Sequence, residues 1–271
     1  MRLTTLERRK VVAISAAAAT ALAATWAALA ESVTSKADEG AGALMQAPAF
    51  LAEESGTPPR AMRLRAIVSR AWDDSIAAWK RVLEGRDAEV EGINLRYVSR
   101  LAPHNCYGLY AGEGPAYCSG NRTVFIGTDA AKRLMARFGP HGEAGIAFLI
   151  GHEIGHHIQN MNGRFLLLGR AISRAPALRA ELVRRFELEA DCYAGVWMHA
   201  SEAWARSDAF KAAILSVLGT IGDDTIAGEQ PQPARAAAGV HGTSEQRTRW
   251  FLRGVKAGDL QACNTFRAAR L

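Results

Sequence analysis

Hydrophobic residues along this chain fall into three successive patterns, and each predicts a different element. Between about Met62 and Leu83, residues Leu64, Val68, Trp72, Ile76, Trp79 and Leu83 recur at three- and four-residue steps. That period gathers them on one face of an amphipathic helix, with Trp72 and Trp79 as core anchors. Short alternating runs follow at Asn94-Leu95-Arg96-Tyr97-Val98 and Thr123-Val124-Phe125-Ile126 and predict strands. An exposed edge of so small a sheet can hold an extended peptide through main-chain hydrogen bonds, or the sheet can simply cap the core. Thr128 or Asp129 is placed to cap a helix reaching about Phe138, where Gly139-Pro140 ends it.

The third pattern starts near Glu143 or Ala144. Residues Ile146-Ala147-Phe148-Leu149-Ile150 are apolar on every face, so this helix is expected to be buried. Gly151 and Gly155 each cost about 1 kcal/mol relative to alanine in a helix interior, which predicts a close neighbour on their side. Arg164 to Arg174 is a mixed apolar and basic connection, helical in part, and Pro176 can open a helix over about Ala177 to Ser201. An apolar helix over Ala212 to Ile221 comes next, followed by a polar loop, Gln230 to Gly239. Thr243 and Gln246 have the spacing of a capping box for a last helix that Trp250, Phe251 and Leu252 dock on the core. Helices dominate and the strands are few and short, so the expected class is α+β, mainly helical, with a small β element.

Composition adds an address. The chain has 271 residues and 49% hydrophobic content, enough for one domain of moderate size plus a targeting segment. Arg2, Arg8, Arg9 and Lys10 precede twenty uncharged residues, Val11 to Ala30, which close on Ala28-Leu29-Ala30. This reads as a signal peptide with an A-x-A cleavage site, and Arg8-Arg9 hints at a twin-arginine signal. Retained, the same twenty residues are long enough to serve as an N-terminal membrane anchor. The expected organisation is therefore 1–30 signal or anchor, 31–60 flexible linker and 61–271 folded domain, exported to a periplasmic or other extracytoplasmic location. Of the net charge of +6, the leader supplies +3, since four cations oppose Glu7. The remainder is modest and no long basic run is interleaved with aromatics, so nucleic acid is not an expected partner. Four cysteines without a C-x-x-C pair favour two disulfides in an exported chain. Of three possible pairings, Cys106 with Cys118 brackets a short loop, leaving Cys192 with Cys263.

Candidate chemistry centres on His152-Glu153-Ile154-Gly155-His156. Residues i and i+4 of a helix share a face, so the two imidazoles can reach one metal ion from consecutive turns. Glu153, about 100° round the helix, stands beside that ion, where its carboxylate can take a proton from a metal-activated water. A buried helix carrying these residues needs partners for them. Glu187 and Asp191 in the later helix repeat the i, i+4 spacing, so Glu187 can serve as third ligand while Asp191 hydrogen-bonds the far nitrogen of a ligand histidine. Glu189 points elsewhere, and Cys192, about 140° from Glu187, lies off the metal face, which favours its disulfide. His157 is read as a hydrogen-bonded packing histidine. His241, just before the last helix, can donate to an oxyanion or fix its own loop.

These blocks resemble the bacterial neutral zinc metallopeptidase family of exported or membrane-anchored, zincin-like proteins. The resemblance covers most of the chain beyond about residue 60. It is carried by His152 to Asn160, Glu187 to Trp197, Ile221-Gly222-Asp223-Asp224, and His241-Gly242-Thr243-Ser244 through Arg247 with Trp250-Phe251. It implies a zincin-like fold, Glu187 as third ligand and Asp191 in support; the alanine-rich loop Gln230 to Gly239 departs from the family pattern. The expectation is a zinc metallopeptidase binding one Zn²⁺ through His152, His156 and Glu187, with water in the fourth position. Glu153 would be the general base, His241 an oxyanion donor, and the substrate a peptide or protein. The rival expectations are a zinc-stabilised cell-envelope binding or scaffold protein without turnover, a zinc-dependent cell-wall amidase, and a metal-free structural protein.

Overall fold

The computed structural model describes residues 60–84, 90, 92–101, 114–225 and 239–271. All belong to a compact unit spanning Pro58–Leu271. The expected signal or anchor and its linker lie outside the described residues, except for Arg60, and so do Cys106 and most of the loop Gln230 to Gly239.

Helix α1, Arg60–Leu83, carries the first hydrophobic period. Leu64, Val68 and Trp79 are fully buried, whereas Trp72 is only partly buried against the same cluster. Three strands follow, β1 (Asn94–Val98), β2 (Ala116–Cys118) and β3 (Thr123–Gly127), in the order β1-β3-β2. β3 pairs parallel with β1, Leu95 opposite Val124, and antiparallel with β2, Tyr117 opposite Val124. Every residue of β3 is buried, in keeping with its unbroken Val-Phe-Ile run and its central place. β2 was not expected: three residues between Gly- and Pro-rich flanks are too few to show a period of two.

Helix α2, Thr128–Arg137, departs from its expected cap. Thr128 already lies inside the helix, Gly127 is its N-cap, and no side chain caps it. Continuity with β3 explains this, since the strand runs directly into the helix and leaves no room for a capping residue. Gly139-Pro140-His141 forms a 3-10 turn, and the long helix α3, Gly142–Met161, starts at once. Its apolar entry is buried as expected, with Ile146, Phe148, Ile150, Ile154 and Ile158 all fully buried. Helices α4 (Arg164–Arg174), α5 (Arg179–Ala200), α6 (Asp208–Leu218) and α7 (Ser244–Ala257) follow among the described residues. The architecture is a mainly helical α+β domain with one small sheet.

The expected close neighbour of α3 is α5. A methyl group at Gly151 would lie 2.4 Å from the Trp197 ring, so a larger residue there would push the two helices apart. Helix α7 approaches α5 more tightly still, because Gly195 and Gly254 face each other's backbones at distances no Cβ could tolerate. That crossing is pinned by the disulfide between Cys192 of α5 and Cys263 of the turn after α7. Cys118 is also disulfide-bonded. The capping box at the start of α7 is present in full, with Thr243 accepting from the Gln246 amide and Gln246 from that of Thr243. One docking residue was misassigned: Trp250 and Phe251 are buried, but Leu252 is 38% exposed, because it is rotated a further 100° off the α5-facing side.

Candidate metal centre

Helix α3 brings His152 and His156 onto one face, ring centroids 4.7 Å apart, and α5 lays Glu187 across them. Oε2 of Glu187 is 3.3 Å from Nε2 of each imidazole. These three residues form a group able to hold a metal ion, their donor atoms all within 4.8 Å of one another. A tetrahedral ion with bonds of about 2.0–2.1 Å sets its donors about 3.3–3.4 Å apart, which the spacing of Glu187 from each imidazole matches.

The far nitrogens fix which atoms are left to hold an ion. His152 Nδ1 is 2.8 Å from Oδ1 of Asp191, as expected from the sequence. A carboxylate can only accept, so His152 donates from Nδ1 and keeps Nε2 for a metal. Asp191 is itself gripped by Arg247, whose Nε donates to Oδ2 at 2.9 Å and Nη2 to Oδ1 at 3.0 Å, while Nη1 donates to the Ile221 carbonyl. On the other side His156 Nδ1 donates to Oε1 of Gln159 at 2.7 Å. The amide orientation is set from behind, since its nitrogen donates to the Phe186 carbonyl and to Oε2 of Glu189. Glu189 points away from the cluster, as expected, but it is buried and paired with Arg164, the first residue of α4.

Glu153 does not join the three donors. Its Oε2 accepts the Tyr117 backbone N–H at 2.7 Å, tying β2 to the metal helix and leaving Oε1 uncommitted in direction. Tyr117 is also held through its phenol, which contacts His157 Nδ1 at 3.0 Å and accepts from Asn160 at 2.9 Å. His157 is thus the packing histidine that its position suggested, fully buried beneath the strand.

Electrostatics follow the same map. Burial alone would drive the His152 imidazole towards neutrality, but its bonds to Asp191 and Glu187 and the charges of Asp191 and Glu153 push it up to about 10. His156 is raised too, burial being outweighed by Glu187 and Glu153. Glu187 is held well below the carboxylate range, against its burial, chiefly by the two histidines. Glu153 moves the other way: burial and the nearby Glu187 raise its carboxyl despite both histidines and the Tyr117 amide. The cluster therefore favours positive charge among the three donors and a proton-accepting carboxylate next to them.

His241 is not one of the three donors, and its side chain is 51% exposed. Nδ1 lies 3.6 Å from Oδ1 of Asp223, an electrostatic contact too long for a full hydrogen bond. Asp223 also accepts the Gly242 amide at 2.7 Å and Asp224 that of Ser244 at 2.8 Å, so the two loop blocks are clasped together. His241 nevertheless bears on the site, as the weakest of the groups that lower Glu187.

Sequence reasoning did not assign Gln159, Arg247 or the Tyr117 amide a role. Gln159 had a readable signal, three residues after His156 on the same helix. Arg247 lay in a block noted only for its resemblance, and a backbone donor 36 residues from its acceptor leaves no trace in side-chain identities.

Comparison with known proteins agrees with this geometry. The chain is 32% identical over 207 residues to the "uncharacterized protein Rv2575" of Mycobacterium tuberculosis, covering 72% of this chain and 68% of the relative. It is 34% identical over 168 residues to the "uncharacterized protein YpfJ" of Escherichia coli K12, covering 59% of this chain and 57% of that one. No solved structure matches it. The family described as "Putative neutral zinc metallopeptidase" matches residues 18–266, and the chain belongs to that family.

Proposed function

We propose that this protein is a zinc-dependent metallopeptidase that hydrolyses bonds in a peptide or protein substrate. The observation that carries the reading is the pairing of three donors, Nε2 of His152, Nε2 of His156 and Oε2 of Glu187, with an adjacent carboxylate that is not one of them. Zinc held by those three would supply a Lewis acid that polarises a carbonyl and acidifies water. Glu153 supplies the base. Its Oε2 is anchored on Tyr117, so Oε1 takes the proton of the attacking water and returns it to the leaving amine. Burial strengthens that base by raising its pKa. His241 donates to the oxyanion from the rim, with Asp223 facing its other nitrogen. The Cys192–Cys263 bridge supports an oxidising, extracytoplasmic compartment, consistent with a leader that is cleaved or retained as an anchor.

The test is Glu153→Gln in the full chain, assayed by digestion of an unfolded-protein and peptide mixture beside metal analysis. The variant is expected to keep stoichiometric zinc and lose turnover by about 10²-fold or more. Cleavage at the wild-type rate would remove Glu153 as base. A wild-type protein that holds zinc and leaves the mixture intact while binding a defined envelope partner would favour a scaffold role instead.

A further inference from the structure

Helix α4 buries little of its apolar surface. Phe165, Leu168 and Ile172, on one side of the helix, are half-buried, while Leu166 is 59% and Leu167 52% exposed. The next turn adds Leu178 at 54%. Three of the five exposed large hydrophobic side chains among the described residues thus fall within thirteen positions. At about 100° per residue, Leu166, Arg170, Arg174 and Leu167 share an arc of about 100° on the outer side of α4. Arg170, Arg174 and Arg179 are exposed, and among the described residues no carboxylate pairs with them. The sequence has no acidic residue between Glu153 and Glu181. The segment 164–180 thus presents leucines and arginines and contributes no acid of its own.

We propose that α4 and the turn after it dock on a bilayer surface bearing anionic headgroups. Leu166, Leu167 and Leu178 enter the headgroup boundary, and Arg170, Arg174 and Arg179 meet lipid phosphates. Charge complementarity selects an anionic surface, since guanidinium pairs bidentately with phosphate and keeps its charge at every physiological pH. The leucines select lipid over a protein partner. Leu166 and Leu167 stand side by side on the outer arc of the helix, and a fluid interface closes round such side chains without needing matched holes. An independent feature of the chain points the same way: residues 11–30 are uncharged and follow Arg8-Arg9-Lys10, a composition that engages membranes. Docking through α4 has a consequence for the site as well. Arg164 at its first position holds Glu189, and Phe165 packs against His156, so the metal cluster would be kept close to the membrane surface. The proposal needs neither metal nor turnover and stands or falls apart from the peptidase reading.

The experiment measures amide hydrogen exchange and partitioning of the full chain with vesicles of phosphatidylglycerol and phosphatidylcholine, against phosphatidylcholine alone. Slower exchange over residues 164–180 is expected on the anionic vesicles and not on the neutral ones. Exchange reads this segment separately from any insertion by residues 11–30. Replacing Arg170, Arg174 and Arg179 by Glu together is expected to abolish that protection and to lower the anionic increment in partitioning by about tenfold or more. Leu166→Ser with Leu167→Ser should weaken it by a similar factor, and 0.5 M salt should weaken wild type by screening, as expected for Debye lengths of about 3–10 Å. Both sets of residues are exposed, and an unchanged melting temperature would confirm that the variants fold. Unprotected α4 amides on anionic vesicles, or equal protection in wild type and the arginine variant, would overturn the proposal. Protection by a soluble acidic peptide without any by vesicles would also overturn it, and would assign the face to a protein partner.

Discussion

His152 and His156 are the same residue four positions apart on one helix, yet their far nitrogens are held in different ways. Behind His152 stands a carboxylate, Asp191, which is itself neutralised by a buried bidentate Arg247. Behind His156 stands a neutral amide, Gln159, which passes the contact on to the Glu189–Arg164 pair one step further out. Both arrangements end in a carboxylate and an arginine, but only on the His152 side does the carboxylate touch the ring. The difference separates two jobs of an outer support. A direct carboxylate both orients the ring and makes it more basic, whereas an interposed amide orients it and contributes little charge. It also separates two degrees of risk, because an ion pair with one partner deleted leaves a buried charge, and a deleted amide does not.

The comparison breaks if the two sides respond alike. The largest effect is expected for Asp191→Ala, which strands Arg247 in the interior. A stability loss of about 3–5 kcal/mol is expected from denaturant unfolding of metal-stripped protein. Competition with a chelator should show metal affinity about 10–100-fold weaker.

A pH series comes next in size. His152 in the folded protein titrates near 10, above its ordinary 6.5, so its protonated form stabilises the fold fully below about 6.5. That contribution disappears as pH rises through about 10. Metal-stripped protein should therefore lose up to a few kcal/mol between pH 7 and 10, while the metal-loaded form, whose histidines already bind as neutral ligands, should not. Thermal melts of both forms across that range check it. The same protons must leave when metal binds, so metal affinity should fall as pH falls, by about tenfold per unit for each proton displaced.

Gln159→Met should have the smallest effect. The Glu189–Arg164 pair survives, and the expected cost is about 1–2 kcal/mol with metal affinity about tenfold weaker. Equal losses in Asp191→Ala and Gln159→Met, in chelator competition and unfolding alike, would show that charge behind the ring does not matter here.

Much of this site was legible because it is local. The i, i+4 pairs His152/His156 and Glu187/Asp191 each share a face of one helix, and helix geometry alone sets that. The capping box at Thr243 and Gln246 is local for the same reason, and so is the buried character of α3, written in five consecutive apolar residues. The Thr128 cap failed because capping depends on how the chain enters the helix, and β3 enters this one without a break. Leu252 failed because three consecutive apolar residues cannot all face one neighbour. The two departures thus mark where a local rule needed information about the neighbouring element.

By itself the sequence determined the residue types and their faces: two imidazoles, a carboxylate between them, a second carboxylate and its helper one helix later, and the cysteines to tie that helix down. Only the tertiary structure decided how they meet. It brought Glu187 to 3.3 Å from Nε2 of both rings, gave Asp191 to His152, and set Phe186 and Glu189 behind Gln159. It also set the Tyr117 amide against Glu153. The physical reason is range. Periodicity fixes directions within a helix to a few residues, whereas contacts spanning 27 to 56 residues depend on which helices cross and how closely. Here the glycines at 151, 195 and 254 set that closeness, and their effect is visible only once Trp197 and the opposing backbones are in place.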